Sequence, residues 1–432
     1  MQTALLSLAI ALLGGMMLSR LAKLVKLPAV TAYLVTGILI GPYVLGQLGV
    51  KGLGFTSLAE VEHFSILCDV ALGFIAFSIG NEFRLSQLKK IGKQATIIGI
   101  LQAVITTIVV DIALIALHFA FPKVLSLETA IILGAIASAT APAATLMVVK
   151  QYKAKGPVTD TLLPVVALDD AVGLILFAIS FGVAKALGTG SVDVVSIIVN
   201  PLLEIVLSLT LGALAGFLFS FCERFFHSRS KRLAVSVGFV LLTIGLSMVN
   251  IHIGKVHIAF SSLLSCMMLG TVFCNVCDFS EELMDRVDRW TAPLFAIFFV
   301  ISGAELRLSV FASGMIILVG IIYIISRSLG KCSGAFLSAK LAKSEDNIVK
   351  YLGITLLPQA GVALGMANIV QSSTVLDPSV GSLVLNITLF AVLIYELVGP
   401  LLTKIALQKA GEIDPEGKTS ARHEHAKNKP QA

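Results

Sequence analysis

Long apolar runs separated by short polar loops constrain this chain more than any other feature of its sequence. Thirteen such runs of about 17–28 residues can be read, each close to or above the length of a helix that spans a bilayer. Only 13% of the residues are charged, against roughly 25% in soluble domains. The sequence therefore predicts an all-α polytopic membrane protein. The runs lie near residues 3–19, 28–45, 65–81, 94–120, 128–149, 159–185, 193–221, 232–249, 257–275, 289–304, 312–338, 349–371 and 381–403.

The distribution of Lys and Arg predicts the topology. One alternate set of loops, together with the C-terminal tail, holds 25 of the 32 basic residues, whereas the other set holds 5. Short cytoplasmic loops carry the excess of positive charge. The pattern therefore predicts thirteen spans, with the N-terminus outside and the C-terminus in the cytoplasm. This topology accounts for the net charge of +6, so no nucleic-acid partner is needed to explain it.

Two adjacent carboxylates, Asp169 and Asp170, lie in the middle of the sixth apolar run. A charge at the centre of a bilayer costs at least ~2.5–3.5 kcal/mol, so intramembrane acids usually face a polar cavity on an ion or proton path. Neighbouring residues on a helix point about 100° apart, so the two side chains can meet different partners. Two close carboxylates also titrate as a coupled unit. The pair predicts a site where protons and cations compete; the alternative is an acid pair held neutral in a hydrogen-bond network.

The fifth and twelfth spans are interrupted near their middle. A proline there removes a backbone hydrogen bond, and the freed carbonyl groups must find a partner, such as an ion or a neighbouring helix. Two interrupted helices at corresponding positions of the two halves indicate an inverted-repeat transporter with its site where they cross. The residues that interrupt the helices are Ser138, Thr140, Pro142 and Thr145 in the fifth span, and Pro358 and Gln359 in the twelfth.

The eleventh span contains two cations, Arg327 and Lys331, four residues apart on one helical face. A desolvated lysine can lose its proton near neutral pH. The last span contains one acid, Glu396, in the segment 395–400. These residues predict further charge pairs inside the membrane.

Taken together, these motifs resemble the monovalent cation:proton antiporter superfamily, in its branch of bacterial Na⁺/H⁺ and K⁺/H⁺ exchangers. The segment 330–334 is similar to the family's GKxxG segment, and 395–400 to its ExxGP signature. The resemblance implies that Lys331 pairs with Asp169, and that Asp170 is the principal ion carboxylate beside the broken backbone at 140–145 and 358–361. It also leads us to expect that Arg327 neutralises Glu396.

The resemblance also implies an architecture of about thirteen helices with inverted repeats and two crossed, broken helices, assembled as a homodimer. The implied parts are a dimer or scaffold domain at 1–92 and 231–310, a core ion-transport domain at 93–186 and 311–410, a linker helix at 187–230, and a disordered cytoplasmic tail at 411–432.

The function implied is exchange of a monovalent cation, Na⁺ or Li⁺ in preference, for protons by alternating access, electrogenic through Lys331 and serving pH homeostasis. No organic cofactor is expected. K⁺/H⁺ exchange is the nearest alternative, because the acidic residue that relatives often carry near Gly361 is missing. An organic-anion symporter on a related fold and a passive channel are more remote. A membrane enzyme is disfavoured, since no Ser/His/Asp set, metal cluster or phosphate loop is apparent in the sequence.

Overall fold

The structure is a computed structural model of the chain. Its description covers residues 2–24, 27–50, 52–81, 83–122, 124–189, 199–249, 251–253, 256–258, 260–277, 279–306, 314–371, 373 and 376–413.

The described residues are almost entirely helical, as the prediction of an all-α membrane protein requires. A single turn of 3-10 helix lies at Leu45–Leu48, and two short strands, β1 (Ile251–Ile253) and β2 (Val256–Ile258), pair antiparallel. The α-helices are α1 (Gln2–Leu24), α2 (Ala29–Ile40), α3 (Leu58–Glu62), α4 (Ser65–Asn81), α5 (Leu85–Ala120), α6 (Leu127–Ile136), α7 (Pro142–Tyr152), α8 (Pro157–Thr189), α9 (Asn200–Glu223), α10 (Arg229–Ser247), α11 (Ser262–Val276), α12 (Ser280–Glu305), α13 (Gly314–Leu341), α14 (Asp346–Thr355), α15 (Gly361–Gln371) and α16 (Pro378–Lys409).

Within the described ranges, nine helical stretches are long and apolar enough to cross a membrane, and α4, α6, α11 and α15 are shorter apolar helices. Eleven of the thirteen predicted segments correspond to one helix each, whereas the fifth and twelfth correspond to the pairs α6–α7 and α14–α15. The protein is therefore a multi-pass membrane protein. Helix length alone does not establish the predicted total of thirteen spans.

The two broken helices cross each other at their interruptions. Residues 137–141 separate α6 from α7, which begins at Pro142. A proline is tolerated at this first position because the backbone N–H there has no partner within the helix. Residues 356–360 separate α14 from α15. The backbone N–H of Ala141 donates to the carbonyl of Pro358 at 2.8 Å, so each interruption supplies a partner for the other.

The helices pack in two groups. One cluster of buried apolar side chains joins α1, α2, α4, α9, α10, α11 and α12, and two further clusters join α5, α6, α13, α14, α15 and α16. Helices α7 and α8 contribute side chains to clusters of both groups, so they lie between them. In the first group, α2 and α12 approach too closely for side chains: a Cβ at Gly37 would lie 2.0 Å from the Val300 carbonyl oxygen, and one at Gly303 2.2 Å from that of Leu34.

The segment after α16 departs from expectation. A disordered tail is predicted from residue 411, but Glu412 and Ile413 are buried against the rest of the chain. The Glu412 carbonyl accepts from the backbone N–H of Lys155 at 3.2 Å. The Glu412 carboxylate accepts from the N–H of Val158, and the Ile413 side chain is buried, so these residues are packed against the protein. Residues 414–432 lie outside the described residues.

Candidate ion-binding site

Asp169 and Asp170 lie near the middle of α8, a helix of 33 residues. Their side chains are 0% and 2% exposed. Pro164 lies one to two turns earlier in the same helix, where it removes one backbone hydrogen bond. The two carboxylates are thus buried, side by side, on a helix that lies between the two packing groups.

Asp169 is held by donors from three other elements. The Lys331 ammonium of α13 lies 2.7 Å from Asp169 Oδ2, and both side chains are fully buried. The Thr140 hydroxyl donates to the same oxygen at 2.5 Å, and the Gln102 amide of α5 donates to Oδ1. The structure therefore brings together Asp169, Lys331 and Thr140. It places Thr140 on Asp169, whereas the broken backbone there was expected to face Asp170.

Lys331 has several acceptors besides Asp169. Its ammonium donates to Gln102 Oε1 at 3.0 Å, to Thr140 Oγ1 at 2.9 Å and to the backbone carbonyl of Ser138. An ammonium has three protons to donate, so these four acceptors share them. A buried lysine with this many partners is fixed in position, at the break between α6 and α7.

Asp170 is different from its neighbour. Among the described residues, neither of its carboxylate oxygens has a hydrogen-bond partner. A buried carboxylate without a donor carries the full penalty of desolvation, so it must be neutralised by a proton or a cation. Asp169 is satisfied by the protein itself, whereas Asp170 presents two oxygens that a proton or cation can occupy.

Arg327 corrects one expectation. Among the described residues it forms no ion pair with Glu396; instead its guanidinium donates to three backbone carbonyls: Ala137 at 3.0 Å, Ala139 at 2.7 Å and Leu357 at 2.7 Å. These carbonyls follow the C-terminal ends of α6 and α14, where helices carry partial negative charge. The planar guanidinium has five N–H donors, enough to serve all three carbonyls at once. Arg327 therefore neutralises the ends of both broken helices.

Glu396 lies in α16 without the partner that was expected. Its Oε2 atom has no hydrogen bond within the part of the chain that the structure describes. The residue before it, Tyr395, is the one that meets Arg327: the guanidinium lies 4.4 Å from the ring centroid, and the phenol hydroxyl lies 2.8 Å from Ser328 Oγ. Adjacent positions on α16 thus face different neighbours.

The remaining predicted residues hold the broken backbone. The Gln359 amide donates to the carbonyl of Ile136 at 3.0 Å, and so ties the twelfth-span break to the end of α6. The Ser138 hydroxyl donates to the carbonyl of Ala135, and the Thr145 hydroxyl to that of Ala141, within their own segment. These contacts satisfy carbonyl groups that the interruptions free.

Gln102 was missed by the reasoning from sequence. It is fully buried in α5 and contacts both members of the Asp169–Lys331 pair. The signal was available, since an amide inside a long apolar run needs hydrogen-bond partners in the membrane. The sequence did not indicate which partners these were, because Gln102 and Lys331 are 229 residues apart in the chain.

A cavity of about 950 Å³ opens beside α8. Its lining includes Lys155, Gly156, Thr159 and Asp160 at the start of α8, and it extends along the helix to Leu163 and Pro164, six residues before Asp170. On the opposite side it is lined by residues of α2 and α12. The cavity therefore lies between the two packing groups and ends within two turns of α8 from the buried carboxylates.

Buried carboxylates beside two crossed, broken helices define a class of protein, the secondary transporters of small ions. The chain belongs to the sodium/hydrogen exchanger family, transmembrane, whose model matches residues 8–409. It is therefore a cation:proton antiporter, a transporter rather than an enzyme.

Curated relatives exchange different cations. The chain is 24% identical over 396 residues to the K⁺/H⁺ antiporter subunit KhtU of Bacillus subtilis, covering 89% of each protein. It is 23% identical over 330 residues to the high-affinity Na⁺/H⁺ antiporter NhaS3 of Synechocystis, covering 74% of this chain and 67% of that protein. With the ammonium/H⁺ antiporter subunit AmhT of Alkalihalophilus pseudofirmus it shares 26% identity, over 66% of each chain.

Solved structures confirm the predicted fold. Two structures of the sodium proton antiporter MjNhaP1 from Methanocaldococcus jannaschii superpose with TM-scores of 0.63 and 0.71. They cover 95% and 94% of this chain at 20% and 16% identity. The sodium/proton antiporter fold is therefore present in this chain.

Proposed function

We propose that the protein exchanges Na⁺ or Li⁺, in preference to other monovalent cations, for protons by alternating access. One observation carries the proposal: both oxygens of Asp170 are buried and without a donor among the described residues, next to the Asp169–Lys331 pair. Either a proton or a cation neutralises such a carboxylate, and the two cannot occupy it together. Competition for one site couples the two fluxes without any organic cofactor.

Lys331 makes the exchange electrogenic. With Asp170 protonated, Asp169 ionised and Lys331 charged, the three side chains carry no net charge. When a cation binds to Asp170 and Asp169, Lys331 gives up its proton, and the occupied site carries one net negative charge. One cycle then moves about two protons against one cation, because ligands that bind a cation release protons. The membrane potential therefore drives the exchange.

The two packing groups support a division into a moving core and a fixed scaffold. We assign α5, α6, α7, α8, α13, α14, α15 and α16 to the core, and α1 to α4 and α10 to α12 to a scaffold that forms a homodimer, with α9 as the linker. The cavity between the groups faces the cytoplasm if basic loops lie inside, as the distribution of Lys and Arg favours. The structure then corresponds to an inward-facing state in a bacterial inner membrane.

K⁺/H⁺ exchange is the second candidate. The segment 359–361 carries an amide and no acidic residue. In addition, KhtU, which aligns with this chain over 89% of its own length, is a K⁺/H⁺ antiporter subunit. A pH-sensitive dye in inverted vesicles or proteoliposomes separates the two, because the cation that is exchanged collapses an imposed pH gradient. We expect responses to Na⁺ and Li⁺; a response to K⁺ alone would replace the first candidate with the second.

Two variants test the site in the same assay. Asp170→Asn should abolish the cation-induced change in pH, since an amide carries no charge for a proton or cation to neutralise. Asp111→Asn is the matched control: it also removes an intramembrane carboxylate, but one in α5 that lies against Gly134 of α6. Full exchange in Asp170→Asn would refute the assignment of the site.

A further inference from the structure

The first turn of α8 is capped by a residue from the far end of the chain. The first N–H groups of a helix have no partner within it, and a side chain just before the helix usually supplies one. Here that position is Gly156, and the carboxylate of Glu412 serves instead. Its Oε1 accepts from the N–H of Val158 at 2.6 Å, and its Oε2 from the N–H and hydroxyl of Thr159 at 2.8 and 2.6 Å.

Gly156 makes room for this carboxylate. A Cβ at Gly156 would lie 2.6 Å from both Cγ and Cδ of Glu412, well inside van der Waals contact. The backbone φ of 154° at this residue is also one that other residues rarely adopt. The glycine and the glutamate are therefore complementary, although 256 positions separate them.

The capped end of α8 is also a wall of the cavity that extends along this helix to Pro164. Lys155, Gly156 and Thr159 all line that cavity. The start of a helix carries about half a positive charge. Two more lysines, Lys150 and Lys153, line the same space. Asp160, Asp285 and Asp288 also line it, and Asp288 is paired with Lys150 at 2.6 Å. The positive end of α8 therefore lies in a space where acidic and basic side chains are nearly balanced, so one further charge at that end changes the sign of the local field.

Glu412 supplies a negative charge directly behind this wall, because its carboxylate accepts from the backbone and side chain of Thr159, which lines the cavity. Its side chain is largely buried, so its field is screened less by salt than that of a surface group. It acts together with Asp160, which also lines the cavity. A full negative charge on the first amides of α8 exceeds the partial positive charge of that helix end, so the capped end is itself net negative and attracts cations.

We propose that Glu412 is a positioning residue of the exchange: its carboxylate caps α8 and makes the start of that helix attractive to cations, and so sets the apparent affinity for the cation on the cavity side. This inference rests on the proposed cation exchange. It predicts a role in cation access that is separate from the chemistry at Asp170, because Glu412 holds the end of α8 that lines the cavity and its carboxylate bonds to Val158 and Thr159, more than two turns before Asp170.

The test compares the apparent KM for Na⁺ in full-length Glu412→Gln with that of the native protein, in proteoliposomes with the cation on the cavity side. At low ionic strength we expect KM to rise about threefold to tenfold while the maximal rate changes less than twofold. Choline chloride should reduce this difference, because added salt screens the lost charge. Gly156→Ala, which displaces the carboxylate without removing it, should raise KM in the same direction.

Asp377→Asn is the matched control. Asp377 caps α16, a helix of similar length, by accepting from the N–H of Ser379 at 2.8 Å. The capped residue Ser379 does not line the cavity, whereas Thr159, which Glu412 caps, does. Its KM should stay native. An unchanged KM in Glu412→Gln, or a loss of maximal rate alone, would overturn the inference and leave Glu412 a structural cap. If the native protein shows no cation-dependent proton movement, the proposed exchange itself fails, so the two failures are distinguishable.

Discussion

The Asp169–Lys331 pair allows a quantitative prediction. Lys331→Met removes the ammonium that lies 2.7 Å from Asp169 Oδ2, with both side chains fully buried. Removing one partner of a buried ion pair costs about 3–5 kcal/mol, because the other charge is left uncompensated. Asp169 keeps donors from Thr140 and Gln102, so the lower end of this range, about 3 kcal/mol, is expected.

That free energy converts to a measurable change in unfolding temperature. At about 2.1 cal/mol/K per residue, a chain of 432 residues has an unfolding entropy of roughly 0.9 kcal/mol/K. A loss of about 3 kcal/mol then lowers Tm by roughly 3 °C. In the double variant Asp169→Asn/Lys331→Met no buried charge is left unpaired, so its Tm should be higher than that of Lys331→Met, with a coupling energy of about 2–3 kcal/mol.

Thermal unfolding in detergent gives the Tm values of the native protein, Asp169→Asn, Lys331→Met and the double variant. Cation flux measured at imposed membrane potentials tests the role of the pair in transport. Lys331→Met should exchange without voltage dependence, since it cannot release a second proton. Additive Tm losses in the double variant would show that the two side chains are not coupled. Unchanged voltage dependence in Lys331→Met would remove the electrogenic mechanism.

Three further variants test the surroundings of the site. Arg327→Met leaves three buried carbonyls without their donor, and each unsatisfied carbonyl costs about 1–3 kcal/mol. Tm should therefore fall further in Arg327→Met than in Arg327→Lys. Equal decreases in Tm would contradict the role given to the guanidinium. Gly134→Ala places a Cβ 1.7 Å from Asp111 Oδ1 and should lower the free energy of unfolding by about 1–3 kcal/mol. When Asp111 is also replaced by Ala, this loss of stability should largely disappear. An undiminished loss would argue against the contact between Gly134 and Asp111. Lys150 and Asp288 form an ion pair of 2.6 Å between α7 and α12. Lys150→Met and Asp288→Asn should therefore alter the transport rate equally, and the double variant should show no further change. Additive changes would show that the pair does not act as a unit.

Parts of this structure follow from local rules. Apolar length predicts the helices, and Pro142 predicts the start of α7, because a proline fits the first position of a helix and not its interior. The contact between Asp169 and Lys331 was expected from the resemblance to antiporters, supported by the rule that charges inside a membrane pair with each other.

Other contacts depend on how the helices pack, which spacing does not reveal. The rule that charges inside a membrane pair with each other predicts an ion pair between Arg327 and Glu396. The free carbonyls at the broken helices are an equally good partner for a guanidinium, and they lie on the side that Arg327 faces. Glu412 lies in a polar stretch with no apolar periodicity, so composition favours disorder there. Its order comes from the amides of a helix more than 250 residues away.

The central claim is that a cation and protons compete for Asp170 and its neighbours. The most direct measurement is the number of protons released when Na⁺ is added to the purified protein in weakly buffered detergent solution, recorded with a pH-sensitive dye. We expect about two protons per bound cation for the native protein and about one for Lys331→Met, because cation binding displaces the protons of its ligands. Asp170→Asn should release none on adding Na⁺. Native-like release from Asp170→Asn, or cation binding by the native protein without proton release, would contradict the account.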